Sequence, residues 1–192
     1  MPSTPVFRHP HRDITFRGPV MTFKLGIVST GGTIEKTYCA LNGALINGSS
    51  VLDVLLSGLE LPGVEIHRRS VCNLDSLDMV EQDHERIVGE VHELIQTVDG
   101  IVVVHGTDRL SVTGELLFRR HAEESLPLPV ILTGAMRPYE LRTSDASQNM
   151  TEAILAAQWL DPGVYCVMHS QVLSFPGVEK DPGLGTFISR TR

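Results

Sequence analysis

The sequence predicts an α/β fold in which a mainly parallel sheet is flanked by helices. Three observations carry that reading. Five short apolar runs recur along the chain: Phe23–Val28, Val64–Val71, Ile101–Val104, Val130–Leu132 and Val164–Met168. Two of them, "IVVV" and "VIL", are rich in β-branched residues, as strands buried on both faces are. Longer stretches between the later runs place apolar residues at helical spacing. Such alternation implies parallel strands joined by crossover helices, in three layers of Rossmann-like or flavodoxin-like type.

The elements follow in order. "TFKLGIVS" is the first convincing strand. Leu77 to Val98 carries Val80, Ile87, Val88, Val91, Leu94, Ile95 and Val98 on one helical face. Asp99-Gly100 then closes that helix and feeds the next strand, a normal C-terminal signal. Leu110 to His121 is a second helix. Ser144 to Leu160 is a third, with Ala153, Ile154, Ala156, Ala157 and Leu160 on its apolar side. Residues 22–192 therefore read as one domain, with no internal repeat, low-complexity tract or linker. Residues 1–21 read as an unstructured extension. They hold prolines, histidines and arginines but no continuous apolar segment, so they are not a secretory signal. Met21 is a candidate start, and His9 and His11 are a weak metal pair.

Composition narrows the function classes. The 192 residues are enough for one sizeable core, and 42% hydrophobic with 20% charged is ordinary for a globular chain. A net charge of −7 argues against a nucleic-acid partner or an acidic membrane surface. No apolar run approaches the roughly 20 residues needed to span a bilayer. Cys39, Cys72 and Cys166 lack paired spacing, which suits a reducing, cytoplasmic compartment.

Ligands of such sheets bind beyond the carboxyl ends of the strands. Small hydroxyl residues, glycines and acids gather there: Thr30-Gly31-Gly32-Thr33, then Asp75-Ser76, then His105-Gly106-Thr107-Asp108, then Thr133-Gly134-Ala135-Met136. The glycine turn matches neither G-x-G-x-x-G nor G-x-x-x-x-G-K-[ST], and the acids nearby would repel a phosphate. His84 and His92 are eight residues apart, unlike H-E-x-x-H, and read as solvated residues on a polar helix face. G-x-S-x-G is absent. A threonine nucleophile would need a base. The chain has three lysines, Lys24, Lys36 and Lys180, against thirteen arginines, which cannot serve as bases. Lys180 lies in the Pro/Gly-rich "FPGVEKDPGLG"; a base and a solvated lysine both fit. Thr33 and Thr107 fit either catalysis or the bracing of a turn.

At these residues the chain resembles a known family. "TGGTIE", "HGTD" and "TGAMRP" followed by "SDASQN" are similar to the signature blocks of the bacterial-type L-asparaginases, threonine amidohydrolases without cofactor or metal. The resemblance runs from about Phe23 to about Thr186. It implies hydrolysis of L-asparagine, with Thr33 as nucleophile and Tyr38 as its activator. It implies a second triad of Thr107, Lys180 and Asp108, and a loop at Asp75-Ser76 that grips the amino-acid end of the substrate. Gly32, Gly106 and Ala135 would shape the pocket, and N–H groups of the glycine turn would hold the oxyanion. Three departures stand out. The family's second domain does not follow within these 192 residues. Leu77 and Asp75 stand where many members carry glutamine and glycine, which implies low glutaminase activity. Family members assemble as homo-oligomers, so a dimer or tetramer is expected. Two other readings remain: a sensor that binds asparagine or aspartate without turnover, and an amidase acting on amidated tRNA.

Overall fold

The computed structural model describes residues 22 to 190 apart from Ser125; the expected extension, with His9 and His11, lies outside them. The sheet has six strands: β1 (Phe23–Gly31), β4 (Val64–Leu74), β5 (Gly100–Val104), β6 (Pro129–Thr133), β7 (Gly163–Met168) and β8 (Gln171–Ser174). Their order across the sheet is β4-β1-β5-β6-β7-β8, with only the β7–β8 pair antiparallel. Chain order therefore reverses between β1 and β5, where a crevice opens beyond the strand ends.

Side chains alternate between two cores, because successive strand residues point to opposite faces. Leu25, Ile27, Val102, Val104 and Ile131 face one layer, made by α1 (Leu52–Ser57) and α4 (Ala146–Trp159). Val28, Ile101, Val103, Val130 and Leu132 face the other, made by α2 (Glu81–Leu94) and α3 (Leu110–Glu124). All five apolar runs and all three helical stretches occur as expected, with shorter bounds for α2. Two antiparallel hairpins stand outside the main sheet. One joins β2 (Lys36–Cys39) to β3 (Ala44–Asn47), and the other joins β9 (Val178–Asp181) to β10 (Thr186–Ser189). Neither these hairpins nor α1 was expected. Each is too short for periodicity to stand out from turn chemistry. Among the described residues no helix is long and apolar enough to cross a membrane.

Two local expectations change. Gly100 is not a helix cap but the first residue of β5, where a Cβ would stand 2.6 Å from the Ala157 carbonyl oxygen. It lets α4 lie close against the sheet. Asp99 docks on β1 instead, accepting from the Lys24 N–H at 2.8 Å. His84 is not solvated: it is 3% exposed, and its Nδ1 lies 2.7 Å from Thr113 Oγ1. Thr113 in turn lies 2.8 Å from His105 Nε2, and His105 Nδ1 lies 2.8 Å from the Gly106 carbonyl oxygen. The carbonyl can only accept, so His105 carries its proton on Nδ1. Thr113 then donates to His105 Nε2 and accepts from His84 Nδ1. The two rings stack 6.0 Å apart, and the chain of bonds joins α2, α3 and the end of β5.

Burial disfavours the charged imidazole and holds His105 down at about 4, against an ordinary 6.5; desolvation lowers His84 as well. The unfolded chain thus takes up a proton near pH 6.5 that the folded protein refuses until about pH 4. Stability contributed by neutral His105 is complete above that window and lost as pH falls through it, by about 3 kcal/mol. Buried Glu35, raised from 4.5, opposes this loss in its own range. Urea unfolding at pH 7 and pH 4.5 should record the fall, and an acid form equally stable would contradict a neutral interior pair. Gly100→Ala should cost roughly 1–3 kcal/mol by overpacking against backbone, read as a lower melting temperature.

Candidate active site

The crevice is built from backbone turns at the ends of β1, β4 and β5. Gly31 and Gly32 take φ of 93° and 76°, the left-handed region that side chains avoid. A Cβ on Gly32 would stand 2.4 Å from Gly106 Cα, and one on Gly106 would stand 2.5 Å from Ser76 Oγ. Three of the expected site residues therefore meet through contacts that admit no side chain at either glycine. Thr33 follows directly and opens a 3₁₀ turn, Thr33–Glu35, whose last N–H returns to the Gly32 carbonyl. The Gly32 N–H is spent on the Leu74 carbonyl oxygen at 2.8 Å. That donor is engaged within the chain; the Thr33 N–H, the first of the 3₁₀ turn, is one that the turn itself does not satisfy.

Thr107, 2% exposed, follows Gly106. Lys180 Nζ donates to Thr107 Oγ1 at 2.8 Å and to Asp108 Oδ1 at 2.7 Å, so the three residues expected as a triad come together. Lys180 sits not in a loop but on β9, paired with Phe187 of β10. Val178 and Phe187, each 1% exposed, sink into the α2–α3 core and fix the hairpin that carries the lysine.

Ser76 is fully buried, yet its hydroxyl has no hydrogen-bond partner among the described residues. An unpaired buried hydroxyl costs free energy unless a ligand satisfies it. Asp75 caps the same turn, its Oδ1 accepting from the Leu77 N–H at 3.0 Å. Its Oδ2 accepts from Lys36 Nζ at 2.6 Å. Lys36 first, then the Leu77 N–H, hold this carboxyl below its ordinary 3.8, and the charge of Lys180 adds to the effect. Both oxygens are thus engaged within the chain. Leu77 itself is 62% exposed at the mouth.

Ala135 is buried in the α1–α4 core with Ile34, so it shapes the site from behind. Its loop is pinned by Asp145, 4% exposed, which accepts from the Met136 and Arg137 N–H groups at 2.9 and 3.0 Å and bonds His169 Nε2 at 2.8 Å. Burial pushes the Asp145 carboxyl up, but these donors outweigh it and hold it below 3.8. Tyr38 is 58% exposed on β2. Strand alternation puts it on the same face as Lys36, which touches Asp75. Lys36, Asn47, Asn73 and Asp145 were not among the expected residues. Lys36 had one signal, being one of three lysines and three residues beyond Thr33. The other three look like ordinary turn and cap residues.

Residues 24–181 match the family model described as "Asparaginase, N-terminal". The chain is 36% identical over 166 residues to an L-asparaginase of Thermococcus kodakarensis, covering 84% of this chain and 49% of that one. It is 31% identical over 150 residues to a glutamyl-tRNA(Gln) amidotransferase component of Methanococcus vannielii, covering 77% and 34%. The solved structure of the thermostable L-asparaginase from Thermococcus kodakarensis superposes with a TM-score of 0.75 at 32% identity, covering 87% of this chain and 51% of that one. L-asparaginase I from Vibrio cholerae shares the fold, with the same TM-score at 24% identity. The chain spans about half the length of the asparaginases it matches and about a third of the amidotransferase component. The family model matched over most of the chain, together with the superposable fold, makes this chain a member of the asparaginase family, of which it carries the N-terminal domain.

Proposed function

We propose that this domain hydrolyses the side-chain amide of L-asparagine to L-aspartate and ammonia through a threonyl ester. The observation that supports this most is the Lys180–Thr107–Asp108 contact set on the turn that touches the glycine turn of Thr33. Ser76 Oγ binds the substrate carboxylate, which satisfies its buried hydroxyl. Asp108 offers Oδ2 to the substrate ammonium while Oδ1 holds Lys180. Thr33 Oγ attacks the amide carbon as its proton passes to the Tyr38 oxygen, which gives up its own phenolic proton in relay, and the Thr33 N–H faces the developing oxyanion, typically worth about 3–4 kcal/mol per donor. The proton passes to the amide nitrogen, the C–N bond breaks and ammonia leaves. Thr107, held by Lys180, then orients a water that hydrolyses the ester and frees Thr33 and aspartate. No metal or cofactor enters this scheme. Assembly as a homodimer or tetramer is part of the proposal, since the mouth at Leu77 is open.

A second reading is an amidase module that supplies ammonia within a larger amidotransferase acting on charged tRNA. The relatedness to the Methanococcus vannielii amidotransferase component supports it, and the net charge of −7 weighs against direct RNA contact. A third, the asparagine or aspartate sensor, keeps the pocket without turnover.

Ammonia release from L-asparagine and L-glutamine in parallel separates these readings. Asparagine should turn over well and glutamine poorly, because Leu77 offers no amide to the substrate. Equal rates would remove the selectivity. Binding without release would favour the sensor, and silence towards both amides the amidotransferase module. Thr33→Ala should abolish turnover. Lys180→Met should lower kcat by about 10²- to 10⁴-fold. A Lys180→Met enzyme with normal kcat would take Lys180 out of the chemistry.

A further inference from the structure

The β2–β3 hairpin carries Tyr38 and continues directly from the turn of Thr33, yet it has almost no apolar anchorage. No residue from Lys36 to Ser50 is buried, and Tyr38, Leu41, Leu45 and Ile46 are 58, 98, 40 and 41% exposed. A segment without buried apolar contacts opens at low free-energy cost. What holds it down is polar, and it is concentrated at one cross-strand pair, Lys36 opposite Asn47. Lys36 Nζ reaches Asp75 Oδ2 at 2.6 Å. Asn47 Nδ2 donates to the Gly32 carbonyl at 2.9 Å and to Asn73 Oδ1 at 3.2 Å, and Asn73 Nδ2 donates to the Gly48 carbonyl at 2.6 Å. Further out, the Tyr38 N–H donates to Glu140 Oε2 at 2.6 Å.

We propose that the Lys36–Asp75 ion pair is a latch that closes this hairpin over the substrate loop, which makes Lys36 a positioning residue. It joins the segment of the nucleophile to the loop of Ser76. Because Tyr38 shares a strand face with Lys36, a closed latch also fixes the side of the hairpin that carries Tyr38. Asp75 thus serves closure rather than recognition of the substrate ammonium. The side chains of the pair are 24% and 29% exposed, so salt screens it and the latch opens and closes readily. Substrate bound at Ser76 favours the closed state. Loss of the latch therefore raises KM more than it lowers kcat.

The kinetic arm rests on the asparaginase reading, but the latch itself does not. Hydrogen exchange of the amides of residues 37 to 46 should be measured on the whole chain for wild type, Lys36→Met, Lys36→Arg, Asp75→Asn and the Met/Asn double variant. Asparagine kinetics should run beside it. Asn at 75 keeps the cap on the Leu77 N–H while removing the charge. Lys36→Met and Asp75→Asn should each speed hairpin exchange roughly three- to tenfold. The double variant should be no faster than either single one, and Lys36→Arg should stay near wild type. KM should rise by a similar factor in Lys36→Met with kcat nearly kept. Unchanged hairpin exchange in Lys36→Met, or fully additive effects in the double variant, would overturn the latch. Should wild type release no ammonia, the function reading fails alone and exchange still decides the latch.

Discussion

A side chain at Gly32 would stand 2.4 Å from Gly106 Cα, and one at Gly106 would stand 2.5 Å from Ser76 Oγ. The ends of β1, β4 and β5 meet only because these two positions have no Cβ. The approach lies at the reversal of strand order between β1 and β5, where an open parallel sheet leaves space for a ligand. Thr33 and Thr107 each follow one of the two glycines, so two hydroxyls are brought to one crevice by backbone packing alone. Every other feature of the site serves to hold or supplement that approach.

Buried polar bonds do the holding. The His84–Thr113–His105 chain ends on the Gly106 carbonyl and ties the β5 turn to α2 and α3. Asp145 gathers the Met136 and Arg137 N–H groups and His169, which fixes the loop behind the crevice. In a low-dielectric interior such networks are rigid when satisfied and costly when broken. Two buried polar atoms beside these bonds, His84 Nε2 and the Ser76 hydroxyl next to Gly106, have no partner among the described residues. Under the proposed reading, the Ser76 hydroxyl is the one completed by the substrate carboxylate.

The two lysines of the site arrive on two hairpins outside the main sheet, and these differ in anchorage. β9–β10 sinks Val178 and Phe187 into the core, so Lys180 meets Thr107 and Asp108 as part of a fixed frame. β2–β3 buries nothing and is held by Lys36, Asn47 and the Tyr38 N–H. One lysine is positioned by hydrophobic burial, which is strong and hard to reverse. The other is positioned by an ion pair, which is weak and adjustable. Under the proposed reading, Lys180 is a fixed base and the β2–β3 hairpin an adjustable cover, which suits a site that admits a small charged substrate and closes over it.

The sequence by itself determined the layers. Apolar runs and helical spacing mark the five parallel strands and three of the four helices, because burial on both faces leaves long periodic signals in the residue pattern. It also marked Thr33, Thr107, Asp108, Ser76 and the glycines, because they follow strand ends in recognisable blocks. Tertiary structure decided what those blocks could not express. The placement of Lys180 depends on a hairpin anchored far from Thr107 in sequence. His84 reads as a polar-face histidine until α3 brings Thr113 against it. Gly100 reads as a helix cap until α4 lies on it. Asp75 reads as part of the substrate loop, and only the fold shows that Lys36 pairs with it. Each is a contact between segments distant in the chain. Such contacts depend on which elements become neighbours, and local periodicity carries no record of that.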